Sequence, residues 1–246
     1  MLLPMMHRAE ITARHVVDLR GLGLDTVTEH AGHVEIGAMA TYRHLLDSPL
    51  LARRVALLSR MAAGITGGGG LRNLGTIGGS ACFANPSSEV PAVLVALGAT
   101  LRLHGPAGNR DVAAADFFHG AFATDLADGE FLASLLIPHR HGRIGYYKLK
   151  LCEGSWPIVI AVATVDPDRE RVEVTVGAAL AVPVRIELTT LLRGDGGLDL
   201  GGIDALVCRR IDAPWSDVLA EGAYRREVAG VVARRAVTDL LEGPNE

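Results

Sequence analysis

The densest chemical signal in this 246-residue chain lies between Gly67 and Leu97. Four glycines, Gly67 to Gly70, open it. Thr76-Ile77-Gly78-Gly79-Ser80 follows, then Asn85-Pro86-Ser87-Ser88-Glu89 and an apolar run. Glycine at this density costs backbone entropy. One reason to keep it is close backbone approach to a ligand, with N–H groups turned toward an anion. The hydroxyls of Thr76 and Ser80 flank Gly78-Gly79 and add donors. The stretch therefore reads either as a cradle for a phosphate or pyrophosphate, or as a flexible glycine loop and a tight turn. No Gly-Lys pair supports a Walker loop. The tetraglycine has no strand pattern before it and no helix start behind it, so a Rossmann fingerprint is not expected.

The elements that must position this stretch can be read in order. Val16-Val17-Asp18-Leu19 reads as a short buried strand. Val27–His30 and His33–Ala38 alternate around Ala31-Gly32 as a hairpin. Thr41 is an N-cap for a helix from Tyr42 to Asp47. Pro49 opens a second helix, with an apolar stripe through Leu50, Leu51, Val55, Leu58 and Met61, that delivers the chain to the glycines. Asn85-Pro86 is read as the cap of a helix running through Val90 to Leu97, with Glu89 in its first turn. Strands follow at Ala99–His104, Arg110–Val112 and Glu130–Pro138. Pro138-His139-Arg140-His141-Gly142 reads as an interdomain linker. Four strand patterns come next (144–151, 158–165, 172–180 and 182–186), then helices around 202–210 and 222–241. In the last helix Tyr224, Val228, Val231, Val232, Ala236 and Leu240 form one face, and Arg225, Arg226, Arg234 and Arg235 the other. Strands followed by helices argue an α+β fold.

Composition excludes several function classes. A net charge of −4 offers no basic footprint for nucleic acid. The three cysteines, Cys82, Cys152 and Cys208, are isolated, which fits a reducing compartment and provides no iron–sulfur site in this chain. His30, His33 and His44 are read as solvated, because no carboxylate or cysteine joins them at ligand spacing; no metal site is expected. No apolar run reaches transmembrane length. The short Met1–Met6 stretch lacks a basic leader, so a cytoplasmic protein without membrane insertion is expected. No Ser/His/Asp arrangement or carboxylate pair offers a catalytic side chain.

Arg72-Asn73-x-Gly75-Thr76-Ile77-Gly78-Gly79-Ser80, followed by Ala84-Asn85-Pro86-x-x-Glu89-x-Pro91-Ala92, resembles the second flavin-binding segment of the FAD-binding medium subunits of molybdenum hydroxylases. Carbon monoxide dehydrogenase and xanthine dehydrogenase are of this kind. The resemblance extends to Ala115-Asp116-Phe117-Phe118, Tyr147-Lys148-Leu149-Lys150, Ser155-Trp156-Pro157 and Glu221–Arg226. It implies a two-subdomain FAD-binding domain of the PCMH type over residues 1–140, then a small C-terminal domain of antiparallel sheet plus helices over 143–246. It implies that Thr76, Ile77, Gly78, Gly79 and Ser80 hold the FAD pyrophosphate and Glu89 the ribityl end. Leu132 then lies against the flavin, Lys148 near its ring and Trp156 over its face. From the residues alone, Glu89 is equally a helix-start charge, Leu132 plain core, Lys148 a solvated strand lysine and Trp156 a core anchor. The family usually has Asp at the position of Glu89, and many relatives have Asp at that of Asn85.

In that family a first glycine loop of the type Ala-Gly-Gly-x-Ser precedes a segment like Leu2–Met6, within an α/β unit of about 30 residues. The expectation is a copy truncated at its N-terminus, through a misplaced start or true loss of half the cradle. The resemblance also implies a hetero-oligomer. A large partner subunit carries molybdopterin, and a small one carries two [2Fe–2S] clusters that feed electrons through this FAD to NAD, quinone or another acceptor. Two alternatives stand beside it: a non-catalytic scaffold subunit that has lost FAD, and a free-standing small-ligand-binding protein with a glycine-rich anion site.

Overall fold

The computed structural model describes residues 2–139, 142–166, 171–191 and 198–243. Helix α1 covers Leu2–His7, and a hairpin of β1 (Val27–Glu29) and β2 (His33–Gly37) follows. Helices α2 (Tyr42–Asp47), α3 (Pro49–Arg54), α4 (Ala56–Ala63), α5 (Gly68–Leu74), α6 (Ile77–Phe83) and α7 (Glu89–Leu97) come next. Strands β3 (Thr100–Gly105) and β4 (Gly108–Ala113), helix α8 (Ala114–Phe117) and the short strands β5 (Phe118–Gly120) and β6 (Ala123–Thr124) lead to β7 (Phe131–Pro138). The second half holds β8 (Ile144–Lys150), β9 (Pro157–Asp166), β10 (Arg171–Gly177), β11 (Val184–Glu187), α9 (Leu200–Arg210) and α10 (Gly222–Glu242). The expected α+β class is observed.

Two antiparallel sheets organise the chain, one ordered β1-β2-β7-β3-β4 and one β11-β10-β9-β8. Helix α7 sits between them. All nine of its residues are buried, as expected of a helix apolar on every side. It packs on β9 and β10 of the second sheet and on β7 of the first. Gly177 permits the closest approach, since a Cβ there would lie 2.5 Å from the Ala92 Cβ. Ile160 and Val162 of β9 belong to the core around α7, whereas Val159, Ala161 and Ala163 face the core under α9 and α10. Strand alternation explains the division.

The structure departs from the sequence expectations at five places. Val16 and Val17 are 55% and 77% exposed and lie outside any strand, because β1 pairs only with β2 among the described residues. The expected long helix before the glycines breaks at Val55 (φ −149°, ψ 57°), and the break lets Leu51, Leu57 and Leu58 all reach the core. The tetraglycine does start a helix, α5. The cap of α7 is Ser88 rather than Asn85, because Asn85 folds a local turn in which its side chain accepts from Ser87 N at 3.0 Å. Arg225 lies on the buried face of α10 and Tyr224 is 47% exposed. Arg225 donates to Ile158 O (2.6 Å) and Ala178 O (2.8 Å), and it pairs with Asp217 at 2.5 Å. These partners supply the bonds that a buried guanidinium requires. Of the expected linker, Arg140 and His141 lie outside the described residues.

Candidate functional site

The site is built where α4, α5 and α6 meet the first strands of the second half. Gly67 adopts φ +94°, which turns the chain from α4 into α5. A Cβ on Gly68, Gly69 or Gly70 would meet nothing within 4 Å, so these glycines present bare backbone to open space. Gly78 has the opposite reason to be glycine: a Cβ would lie 2.5 Å from the Ala38 Cβ and 2.6 Å from Ala38 O. The start of α6 is thereby pressed onto the end of β2.

That close fit uses the backbone donors. Ile77 N donates to Ala40 O and Gly78 N to Ala38 O, both at 3.0 Å. Gly79 N donates to Thr76 Oγ1, also at 3.0 Å. The expected row of N–H groups facing an anion is therefore engaged internally. The side-chain hydroxyls remain as polar groups at the cavity. Ser80 Oγ shares a 2.5 Å hydrogen bond with Tyr42 OH, whose pKa burial pushes up to about 12. Tyr42 is thus a neutral phenol at physiological pH.

A cavity of about 210 Å³ opens here, and its lining includes Tyr42, Thr76, Gly79, Ser80, Phe83 and Trp156. A neighbouring cavity of about 320 Å³ shares Leu74 and Thr76 with it, and another of about 340 Å³ shares Ile65 and reaches Gly67, Gly68 and Arg72. Together they surround α5. Trp156, Glu153 and Gly154 come from the second half, so both halves wall the groove.

Behind Ser88 lies a buried ion pair. Glu89 is wholly buried, and its Oε1 accepts from Lys148 Nζ at 2.8 Å. Lys148 Nζ also donates to Gly64 O at 2.8 Å. Glu89 Oε2 and Tyr146 OH are buried without a hydrogen-bond partner among the described residues. Burial, with the Glu89 charge nearby, raises the Tyr146 pKa well above the usual phenol value. Thr66 Oγ1 donates to Ser155 O at 2.7 Å and ties the two walls together.

The structure thus gathers Thr76, Gly79, Ser80 and Trp156 around one cavity and pairs Glu89 with Lys148 behind it. Ile77 and Gly78 lie on the inner side of the turn. Leu132 pairs with Leu103 within the first sheet and is 3% exposed; it is not among the cavity's lining residues. Tyr42 and Gly64 escape a reading by motif, because each reaches the site from another part of the chain, whereas Phe83 lies on α6 itself, three residues after Ser80. The histidines divide: His44 lies in the α2 cap, whereas Glu35 does join His30 and His33.

A family model described as an FAD binding domain in molybdopterin dehydrogenase matches residues 1–140. The chain belongs to that family. It is an FAD-binding oxidoreductase subunit of the molybdenum-hydroxylase kind. It is 34% identical over 245 residues to the carbon monoxide dehydrogenase medium chain of Afipia carboxidovorans, covering 96% of this chain and 84% of that one. It is 30% identical over 247 residues to the glyceraldehyde dehydrogenase medium chain of Sulfolobus acidocaldarius, with coverages of 97% and 87%. Its structure is similar to quinoline 2-oxidoreductase from Pseudomonas putida 86, with a TM-score of 0.89, 26% identity, and coverage of 98% of this chain and 87% of that one. The groove fits FAD chemically. It offers hydroxyls at Thr76 and Ser80, backbone at Gly67, Gly68 and Gly79 and an indole at Trp156, and a Glu89 carboxylate oxygen with no hydrogen-bond partner among the described residues lies behind it. No described helix is long and apolar enough to cross a membrane.

Proposed function

We propose that FAD binds in the groove around α5 and relays electrons from iron–sulfur clusters of a small partner subunit to an acceptor such as NAD or a quinone. The observation that carries this reading is the cavity shared by the two halves, with Trp156 and the Thr76–Ser80 turn in one lining. Residues 1–140 form the FAD-binding domain and 143–246 the C-terminal domain that completes the groove. A large molybdopterin-bearing subunit is the other partner, in a cytoplasmic hetero-oligomer.

When bound, FAD supplies the redox chemistry, and the chain positions it and shapes its surroundings. Thr76 and Ser80 offer hydroxyls to the pyrophosphate. Gly78 seats the turn on Ala38, and Gly79 leaves room for the Thr76 cap. Ile77 anchors the turn in the core. Trp156 would cover the flavin face and exclude water from it. Glu89 would offer its second oxygen to the ribityl end, and it holds the Lys148 ammonium that would lie near the ring. Leu132 would act from behind the lining, as core of the first sheet. The competing scaffold reading, without FAD, draws on the engaged N–H groups of Ile77, Gly78 and Gly79.

A visible spectrum of the purified chain, with and without added FAD, decides between them. Flavin bands at near-stoichiometric occupancy, lost in a Gly78→Val variant that keeps its circular dichroism, are the expected result. A colourless chain that added FAD does not reconstitute refutes the flavoprotein reading.

A further inference from the structure

The outer face of the first sheet carries a cluster unrelated to the flavin groove. We propose that the β1–β2 hairpin binds a divalent transition cation of the Zn²⁺ class through His30, His33 and Glu35. Register places the three donors together. Thr28 pairs with Glu35 and Glu29 with Val34, so His30 and His33 meet across the two-residue connection, with His30 N donating to His33 O at 2.8 Å. His33 and Glu35 are two apart on β2 and project from the same face. One ligand atom from each of the three residues lies within 4.8 Å of the others.

One donor pair already stands at a metal's spacing. A tetrahedral cation at about 2.0–2.2 Å from nitrogen and oxygen donors separates those donors by about 3.3–3.6 Å. His30 Nε2 and Glu35 Oε2 stand 3.3 Å apart, and the His33 donor lies within 4.8 Å of both. The other carboxylate oxygen, Oε1, accepts from Ser134 Oγ at 2.6 Å. A ligating carboxylate oriented by an outer hydrogen bond is the arrangement that tunes metal sites. Arg102 approaches only Oε1, at 4.0 Å, and its own fork is engaged by Asp111 at 2.9 Å. The His30 and His33 rings stack with centroids 4.8 Å apart and planes 16° from parallel, so one ring must turn about its side-chain bonds to bring both nitrogens onto a single cation. Two nitrogens and one oxygen suit Zn²⁺, Co²⁺ or Ni²⁺ rather than Mg²⁺ or Ca²⁺, which take oxygen ligands. The half-exposed hairpin leaves the fourth position to water, and the cation clips an edge strand of only three residues to its neighbour.

The test is titration of the full chain, stripped with a chelator, with Zn²⁺ in the calorimeter and with Co²⁺ followed by absorption. The expected result is one equivalent of Zn²⁺, with affinity at least tenfold weaker in His30→Ala, His33→Ala and Glu35→Gln. Ser134→Ala weakens binding by on the order of tenfold. The Co²⁺ spectrum shows ligand-field bands without a thiolate charge-transfer band. Circular dichroism confirms that each variant is folded; His30 is exposed and its replacement leaves the core intact. Absence of the Zn²⁺ equivalent, equal binding in the folded variants, or a thiolate band from Cys82, Cys152 or Cys208 overturns the proposal.

Discussion

Lys148→Met removes the ammonium from a carboxylate that has no other hydrogen-bond partner among the described residues. Glu89 is 0% exposed, the Lys148 side chain is 16% exposed, and they meet at 2.8 Å. Breaking a buried pair from one side costs about 3–5 kcal/mol, because the remaining charge is left desolvated. The carboxyl can escape by taking up a proton. Keeping an ordinary carboxyl protonated at pH 7 costs about 3.7 kcal/mol, and this caps the penalty. The expected loss is therefore about 3–4 kcal/mol at pH 7. The folded variant then holds a proton that the unfolded chain releases, so its deficit grows with pH. Each pH unit downward relieves about 1.4 kcal/mol, leaving a deficit of about 1 kcal/mol at pH 5. Urea unfolding of variant and parent at pH 5, 6 and 7, followed by far-ultraviolet circular dichroism, measures the difference. Glu89→Gln added to Lys148→Met should return most of the loss at pH 7, since no buried charge remains. A deficit below about 1 kcal/mol at pH 7, or one that does not change with pH, would refute the reasoning, because the carboxylate would then have kept its solvation by some other route.

Two glycine substitutions should part company. Gly78→Ala drives a methyl into Ala38 and is expected to cost about 1–3 kcal/mol, whereas Gly69→Ala points into open space and should add about 0.5–1 kcal/mol of stability through helix propensity; thermal melts compare them. The Arg110 guanidinium, and then the Ala127 N–H, hold the Glu130 carboxyl down to about 2. Its folded value is depressed, so its stabilising contribution is complete above the ordinary value of 4.5 and is lost as pH falls toward 2. Carboxyl NMR should show that titration, and Arg110→Gln should move it back up.

The second half is readily legible because β9 and β10 are runs rich in β-branched residues, bounded by turn residues. The observed β8, β9, β10 and α10 fall within a few residues of the sequence expectation. Periodicity misled where a local pattern had no partner in space. Val16–Leu19 has strand composition but pairs with no strand among the described residues, and Arg225 sits on the buried face because carbonyls from β9 and Ala178 converge on it. The glycine segment was legible as a special place, but the fate of its N–H groups depends on Ala38 and Ala40, some forty residues earlier. The pairing of Glu89 with Lys148 and the addition of Glu35 to His30 and His33 are equally non-local. Spacing along the chain says little about groups that meet only across a seam or a pleat.

That seam explains how the groove keeps its shape. Ser87 Oγ donates to Asp217 Oδ2 at 2.8 Å, and Arg60 pairs with Asp239 at 2.8 Å, while Asp239 Oδ2 also accepts from Tyr146 N. Arg185 reaches across to Val95 O at the other end of α7. Apart from the Tyr146–Asp239 bond, which lies within the second half, each link joins a residue of the α4–α7 region to the second half, and Lys148 and Thr66 add theirs at the groove itself. Parting the halves would break these bonds and uncover the faces of α7 that rest on β9 and β10, losing apolar burial along the helix's full length. A hinge at this seam is therefore costly. Trp156 and the Thr76–Ser80 turn are held in register by folding itself, so FAD would enter a groove whose two walls are already set, with little ordering left to offset its binding.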